Sequence, residues 1–84
     1  MFYTYILQNQ KGQFYIGQTS NIEDRLKRHN AGRSKYTHKR GPWTVVYVEQ
    51  YSTRQDACKR EREIKRWKKK KRIEQLIALG AHTP

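Results

Sequence analysis

The sequence predicts a small α/β protein of the α+β type, in which helices pack on a three-stranded, mainly antiparallel sheet in the order β-β-α-β-α-α. Two strand-like runs joined by a short turn open the chain, and a third follows a helical segment. The 84 residues allow only one core, because chains this short bury only about 60 to 65 % of their unfolded surface on folding. A single domain is expected over residues 1–80, with residues 81–84 as a flexible tail.

The first two strands are predicted to form a β-hairpin. Residues 2–7 and 14–16 are aromatic, β-branched or leucine, and residues 9–12 between them have turn chemistry. The sequence does not fix the length of the turn, so Tyr5 lies opposite Tyr15 or one position away. Both tyrosines can still share one face of the sheet.

The first helix is expected over residues 21–31. Ser20 and Glu23 have the spacing of a capping box, and Gly32 suits a left-handed stop at the end of the helix. The face that should pack on the sheet contains two polar residues among its four members, which are Ile22, Arg25, Leu26 and His29. We therefore expect a polar group to face inward.

The second half of the chain predicts one strand and two helices. After a basic, turn-rich stretch at residues 33–42, residues 43–51 form an apolar run that we interpret as the central or best-buried strand. Ser52 or Thr53 can cap the second helix. The packed stripe of that helix consists of Ala57, Cys58, Glu61 and Ile64. A bend near Trp67 and a third helix ending at Gly80 are expected to follow.

The charge of the chain suggests a polyanionic partner. The sequence has 19 Lys and Arg against 7 Asp and Glu, a net charge of +12. An excess of this size is typical of proteins that bind nucleic acid. The single cysteine, Cys58, excludes an intramolecular disulfide and a cysteine-based zinc finger. We expect a cytoplasmic protein, because no signal-peptide pattern or membrane-spanning apolar stretch is found.

Arg25 and Glu61 are the residues that an amphipathic pattern does not explain. Each lies on the packed face of a predicted helix, where an ionised group is costly to bury without a partner. A salt bridge between the two would explain them without a function. A functional site that uses both is the alternative.

The ordered motifs of the chain resemble those of the GIY-YIG nuclease superfamily, and especially its short bacterial single-domain branch. The resemblance covers residues 2–79 and rests on five features: Tyr3-Thr4-Tyr5-Ile6-Leu7, Tyr15-Ile16-Gly17-Gln18-Thr19, Asp24-Arg25-Leu26, His29, and the helix around Glu61. Two departures from the family pattern are present. Tyr3 replaces the first glycine, and no asparagine after Asn30 is available to support the glutamate.

The resemblance implies a metal-dependent endonuclease-like phosphodiesterase that acts on DNA. The implied catalytic residues are Tyr5, Tyr15, Arg25, His29 and Glu61. In this scheme a tyrosine acts as general base or positions the water, and Arg25 holds a phosphate oxygen. Glu61 would bind Mg²⁺ or Mn²⁺, because oxygen ligands suit a hard divalent cation that stabilises the leaving oxygen.

Further cations are candidates for nucleic-acid binding. Residues 53–84 contain 11 Lys or Arg and 4 Asp or Glu, so much of the excess charge lies in the last two helices. A run of consecutive cations there can follow a phosphate backbone. The candidates are Lys35, Tyr36, His38, Lys65, Lys68, Lys69, Lys70, Lys71 and Arg72. The expected substrate is DNA, with single-stranded and branched forms both open, and the expected oligomeric state is a monomer.

Two other functions remain open from the sequence. The chain can be a nucleic-acid-binding module that kept the nuclease fold but is non-catalytic, cuts poorly, or cuts only within a partner complex. A protein partner can then supply the targeting. It can also be a basic interaction domain for acidic protein or RNA, in which case DNA binding would depend little on salt.

Overall fold

The computed structural model describes residues 1–32 and 40–80, which form three strands and three helices. The elements are β1 (Phe2–Asn9), β2 (Phe14–Thr19), α1 (Ile22–Asn30), β3 (Trp43–Tyr51), α2 (Arg54–Arg66) and α3 (Lys70–Ala78). Their order and the antiparallel pairing of the strands confirm the predicted fold class. The predicted tail and most of the predicted basic stretch lie outside the described residues.

The sheet has the order β2-β1-β3, so β1 is the central strand. The interpretation of the third strand as central is therefore wrong. The apolar run of β3 arises because this edge strand is covered on both faces. Val46 packs into one core, whereas Val45 and Val48 pack into the other. Strands buried on both faces have near-continuous apolar sequences, which do not distinguish an edge from a centre.

The predicted hairpin between β1 and β2 is confirmed, but both registers expected for the tyrosines are wrong, because Tyr15 lies two positions from the residue opposite Tyr5. Tyr5 pairs with Gly17, and Leu7 pairs with Tyr15. The two tyrosines are therefore diagonal neighbours on one face of the sheet. The side-chain oxygen of Asn9 accepts hydrogen bonds from two backbone N–H groups of the turn, at 3.1 and 2.9 Å, and so fixes the connection.

Helix α1 begins one residue later than the predicted capping box requires. Its N-cap is Asn21 and not Ser20, because the Asn21 side chain accepts the N–H of Asp24 at 3.0 Å. The Oγ1 atom of Thr19, at the end of β2, accepts the N–H of Asn21 at 3.1 Å. Asn and Ser are equally good caps, so this contact with the preceding strand favours Asn21.

Helices α2 and α3 follow the predicted pattern more closely. Thr53 caps α2, and the predicted stripe buries Ala57 and Ile64 completely. The expected bend near Trp67 is present, and Lys68 has a left-handed φ of 53° between the two helices. A left-handed residue at this point ends α2, so the chain can start α3 in a new direction.

The sheet carries one apolar core on each face. The face next to α1 holds Tyr5, Leu7 and Trp43, with Ile22 and Leu26 of the helix packed on them. The opposite face holds Ile6, Ile16 and Tyr47 against Ile64 of α2 and Ile73 of α3. Within residues 1–32 and 40–80, no helix has the length and apolar character needed to cross a membrane.

Candidate active site

Three aromatic side chains from β1, β2 and α1 meet on the sheet face that α1 covers. The Oη atom of Tyr5 lies 3.1 Å from Nε2 of His29. The ring centroid of Tyr15 lies 4.6 Å from that of His29 and 6.3 Å from that of Tyr5. Tyr5 and His29 are both 2 % exposed, whereas Tyr15 is half-buried. The structure thus brings together three residues that the sequence separates.

Gly17 provides the space that the Tyr5 side chain occupies. A Cβ atom at this buried position would lie 2.6 Å from the Tyr5 hydroxyl oxygen and 2.7 Å from the adjacent ring carbon. These distances are well inside van der Waals contact, which begins at about 3.5 Å. The tyrosine of the first motif therefore lies against the glycine of the second, and any side chain at residue 17 would displace it.

Burial controls the protonation of the hydrogen-bonded pair. It raises the pKa of Tyr5, and the neighbouring Tyr15 raises that pKa further. Burial lowers the pKa of His29, and the positive charge of Arg25 lowers it again. At neutral pH, Tyr5 is therefore a phenol and His29 a neutral imidazole. In a neutral imidazole one ring nitrogen carries no proton, and in the tautomer that places it at Nε2 this nitrogen can receive the tyrosine proton.

Arg25 and Glu61 act on the Tyr5 hydroxyl from two different helices. Arg25 in α1 lowers the pKa of Tyr5, and Glu61 in α2 raises it, although burial remains the largest effect. Within the described part of the chain, Glu61 forms its salt bridge with Lys65, at 2.7 Å, and no salt bridge joins it to Arg25. Arg25 and Glu61 thus do not form a direct ion pair. Their opposite charges instead shift the pKa of Tyr5 in opposite directions.

Thr4 connects the central strand to the turn of α2 that leads to Glu61. Its Oγ1 atom donates to the carbonyl oxygen of Ala57 at 2.8 Å, and both residues are 0 % exposed. In an α-helix the carbonyl of residue 57 also accepts the N–H of Glu61. Thr4 and Tyr5 are neighbours in β1 with side chains on opposite faces. One strand therefore holds Tyr5 directly and the helical turn of Glu61 indirectly.

Comparison with known families agrees with this arrangement. The model of the GIY-YIG catalytic domain matches residues 1–74, which include both tyrosine motifs, α1 and the part of α2 that carries Glu61. The chain belongs to the GIY-YIG family. The resemblance found in the sequence motifs is thus confirmed, and the family suggests a nuclease-like activity.

Several bacterial GIY-YIG relatives are similar over nearly their whole length. A UPF0213 protein of Staphylococcus saprophyticus is 40 % identical over 79 residues, which are 93 % of this chain and 95 % of the relative. A UPF0213 protein of Staphylococcus haemolyticus is 37 % identical over 75 residues, covering 88 % of this chain and 92 % of the relative. The similarity therefore extends through all the described helices and strands.

Two solution NMR structures have the same fold. A UPF0213 protein from Bacillus halodurans superimposes with a TM-score of 0.60 at 34 % identity, covering 95 % of this chain and 86 % of that chain. A protein from E. faecalis gives a TM-score of 0.58 at 37 % identity, covering 98 % and 91 %. The arrangement of helices around the GIY-YIG sheet is thus shared with two solved structures.

Glu61 has the chemistry of a divalent-cation ligand. The described residues contain no group of three or more His, Cys, Asp and Glu side chains that could hold a metal ion. A single half-buried carboxylate fits Mg²⁺, which binds proteins through one or two carboxylates and takes further ligands from water and substrate phosphate. Lys65 would have to move from its position 2.7 Å from this carboxylate.

The predicted nucleic-acid-binding residues fall into separate groups. Lys35, Tyr36 and His38 lie outside the described residues. Lys65 is half-exposed and pairs with Glu61, so it lies beside the candidate metal ligand.

The run from Lys68 to Arg72 extends across the junction of α2 and α3. The guanidinium of Arg72 lies 4.3 Å from the ring centroid of Trp67, a cation–π contact. The ammonium of Lys70 lies 5.9 Å from the ring centroid of Phe14 in the hairpin. Lys70 and Arg72 therefore contact different parts of the protein, although all five residues of the run are exposed.

A second cluster of ionisable groups fixes β3 to α2. Arg60 binds the carboxylate of Glu49 through two hydrogen bonds, at 2.9 and 3.1 Å. The hydroxyl of Tyr51 donates to the same carboxylate at 2.6 Å, and Tyr47 donates to it as well. Burial alone would raise the pKa of Glu49, but these hydrogen bonds outweigh it and lower the pKa.

Sequence analysis missed two groups of residues that support the site. Gly17 was quoted only as part of a motif, although glycine inside a strand is a known signal of close approach. Thr4 and the Glu49 cluster, which consists of Glu49, Arg60, Tyr47 and Tyr51, gave no such signal. A shielded threonine or glutamate is recognisable only once its partner on another element is known.

Proposed function

We propose that the protein is an endonuclease-like phosphodiesterase that hydrolyses DNA with Mg²⁺ or Mn²⁺. The observation that carries the proposal is the hydrogen bond between Tyr5 and the neutral, buried His29, next to which Arg25 and Glu61 supply opposite charges. A proton acceptor, a phosphate ligand and a carboxylate for a hard cation are the groups that phosphodiester hydrolysis requires.

Tyr5 and His29 act together as the base in this proposal. A buried phenol with a raised pKa is a poor base alone, because its anion is unfavourable. With His29 as acceptor no buried tyrosinate has to form, because Nε2 takes the Tyr5 proton while the Tyr5 oxygen takes a proton from water. The resulting hydroxide attacks phosphorus, the bond to the leaving oxygen breaks, and solvent supplies a proton to that oxygen. Tyr15 orients the water and forms a wall of the site.

Arg25 and Glu61 stabilise the charge that develops on the phosphate. The guanidinium of Arg25 donates to a non-bridging oxygen, where hydrogen bonds strengthen as negative charge grows. Glu61 would hold the divalent cation, which would supply Lewis-acid stabilisation of the leaving oxygen. Lys65 neutralises Glu61 when the cation is absent, which keeps a half-buried carboxylate from standing unpaired.

The test is cleavage of labelled single-stranded, duplex and branched DNA by the wild type and by Glu61→Gln. Loss of the metal ligand removes several kcal/mol of transition-state stabilisation, so the rate should fall roughly 100-fold or more. DNA binding without metal should persist in the variant. The matched control is Glu74→Gln, which makes the same charge change at an exposed residue of α3.

Equal cleavage by the wild type and Glu61→Gln would trace the activity to a contaminant and overturn the proposal. The same holds if neither protein cuts any of the three substrates with Mg²⁺ or Mn²⁺. A binding module that retains the nuclease fold would then account for the fold and the charge.

A further inference from the structure

The cations of α2 divide into those that are engaged within the protein and those that are not. Arg60 binds Glu49 and Glu63, and Lys65 binds Glu61. In contrast, no salt bridge or ring contact within the described parts of the chain involves Lys59, Arg62 or Arg66. These three side chains are exposed, and their charges are directed to solvent.

The unengaged cations share one face of α2. Lys59, Arg62 and Arg66 are separated by three and four residues, which is the spacing of neighbours on a helix surface. Together with Glu63 they line one shallow depression. The Glu63 carboxylate is held by Arg60 at 2.7 Å, so it does little to offset the three positive charges. We call Lys59, Arg62 and Arg66 the α2 basic face.

The α2 basic face begins next to the candidate active site. Arg62 follows Glu61 directly and lies about 100° around the helix from it. Lys65 lies between them, about 40° from Glu61. A nucleic-acid strand that leaves Glu61 over Lys65 therefore reaches Arg62 and then Arg66 within the width of one helix.

We propose that the α2 basic face binds the backbone phosphates of the nucleic acid beyond the bond that is cut. This inference rests on the proposed function for its ligand and goes beyond it by naming the docking surface. Charge complementarity supports the assignment, because these three cations form no salt bridge with the described residues and lie on one helix surface. The run from residue 68 to 72 is arranged differently, since Arg72 stacks on Trp67, Lys70 lies near Phe14, and the run extends from the connection between α2 and α3 into α3 and does not follow one helix face.

The test compares two variants with the same loss of charge. One carries Lys59→Gln, Arg62→Gln and Arg66→Gln, and the other carries Lys68→Gln, Lys69→Gln and Lys71→Gln. Each removes three of the twelve excess positive charges. All six residues are exposed, and glutamine is a good helix former at the four of them that lie in helices, so the fold should be retained. Thermal melts of both variants check this directly.

The measurement is the dependence of the DNA-binding constant on salt, from fluorescence anisotropy with Ca²⁺ and Mg²⁺ omitted. Each lost phosphate contact lowers the slope of log K against log salt by about 0.9 for duplex and about 0.7 for single strands. The α2 variant should therefore lose about 2 to 3 units of slope, and the variant of the lysine run clearly less. An unchanged slope in the α2 variant, or equal losses in both, would overturn the proposal.

Failure of this inference can be told apart from failure of the proposed function. The α2 variant keeps Tyr5, Arg25 and Glu61, so at low salt it should still cut DNA. If the wild type cuts DNA and the α2 variant binds it as the wild type does, the proposed nuclease function stands and the proposed docking surface is overturned. If binding depends on the α2 basic face but the wild type does not cut, the docking surface stands and the nuclease function is overturned. A wild type that does not bind DNA overturns both.

Discussion

At the scale of single residues, the candidate site depends on the large side chain of Tyr5 and on the absence of a side chain at Gly17. Tyr5 is 2 % exposed, and its hydroxyl lies over Gly17 on the neighbouring strand. The same burial that orders the tyrosine raises its pKa, so the site needs His29 to accept its proton. The position of the Tyr5 side chain and its raised pKa are thus both results of the same burial.

Gly17→Ala tests this arrangement with a single methyl group. The new Cβ would approach the Tyr5 oxygen to 2.6 Å, so Tyr5 should shift and lose its contact with His29. A displacement of about 1 Å in a catalytic site can cost about 100-fold in rate, and overpacking should cost roughly 1 to 3 kcal/mol of stability. Cleavage rates and urea unfolding measure the two effects. Full activity in Gly17→Ala would show that catalysis does not depend on this position of Tyr5.

The motif residues were the predictable part of the site, and their surroundings were not. Tyr5, Tyr15 and His29 follow from sequence order, and the structure brings them within contact distance. The hydrogen bond between Thr4 and Ala57 did not follow, because a contact between residues 53 positions apart leaves no pattern in the sequence. Lys65, in contrast, is the only cation three or four residues from Glu61, so helical spacing alone points to this pair.

At the scale of elements, β1 is the strand around which the site is built. It is central in the sheet, carries Tyr5 toward α1, and reaches α2 through Thr4. The sequence predicted the extents of the strands well but not which strand is central. Helices on both faces give β3 an apolar sequence like that of a central strand, so composition alone could not rank them.

Thr4→Val tests whether β1 positions the turn of α2 that carries Glu61. Valine keeps the shape of threonine but cannot donate to the Ala57 carbonyl, which should cost about 1 kcal/mol of unfolding free energy. We expect kcat to fall while DNA affinity in the absence of metal stays unchanged. Thr4→Ser, which keeps the hydroxyl, should recover most of kcat. A Thr4→Val protein with unchanged kcat at saturating Mg²⁺ would limit this residue to a role in folding.

At the scale of the whole molecule, stability and function use different charged clusters. Glu49 and Arg60 join β3 to α2 and are largely shielded from solvent, with side chains 16 % and 22 % exposed. Arg25 and Glu61 remain next to the aromatic residues of the candidate site. A net charge of +12 repels itself, so a well-shielded ion pair between elements helps to hold the fold together.

The Glu49 cluster predicts how stability changes in acid. Because the pKa of Glu49 is lowered in the folded state, its contribution is complete above the unfolded pKa of 4.5 and is lost as the pH falls through the folded pKa. Glu49→Gln should cost about 2 kcal/mol at pH 7 and show a flatter decline of stability below pH 4.5.

Urea unfolding between pH 7 and pH 3 measures this decline, with Glu74→Gln as the exposed control. The control should follow the wild type at every pH, since Glu74 lies at the surface. Parallel declines for the wild type and Glu49→Gln would assign acid unfolding to other carboxylates.

The side chains of β1 alternate between the two faces of the sheet, and this alternation limits where the chain can gain or lose residues. Thr4 and Tyr5 serve opposite faces, and a shift of one residue would exchange them and bring Thr4 to the place of Tyr5. Insertions or deletions in β1 therefore disrupt both faces at once, whereas the hairpin turn at residues 10–13 can absorb them if Asn9 still closes it. Mutational scanning should accordingly find β1 intolerant of length changes, even where it tolerates substitution.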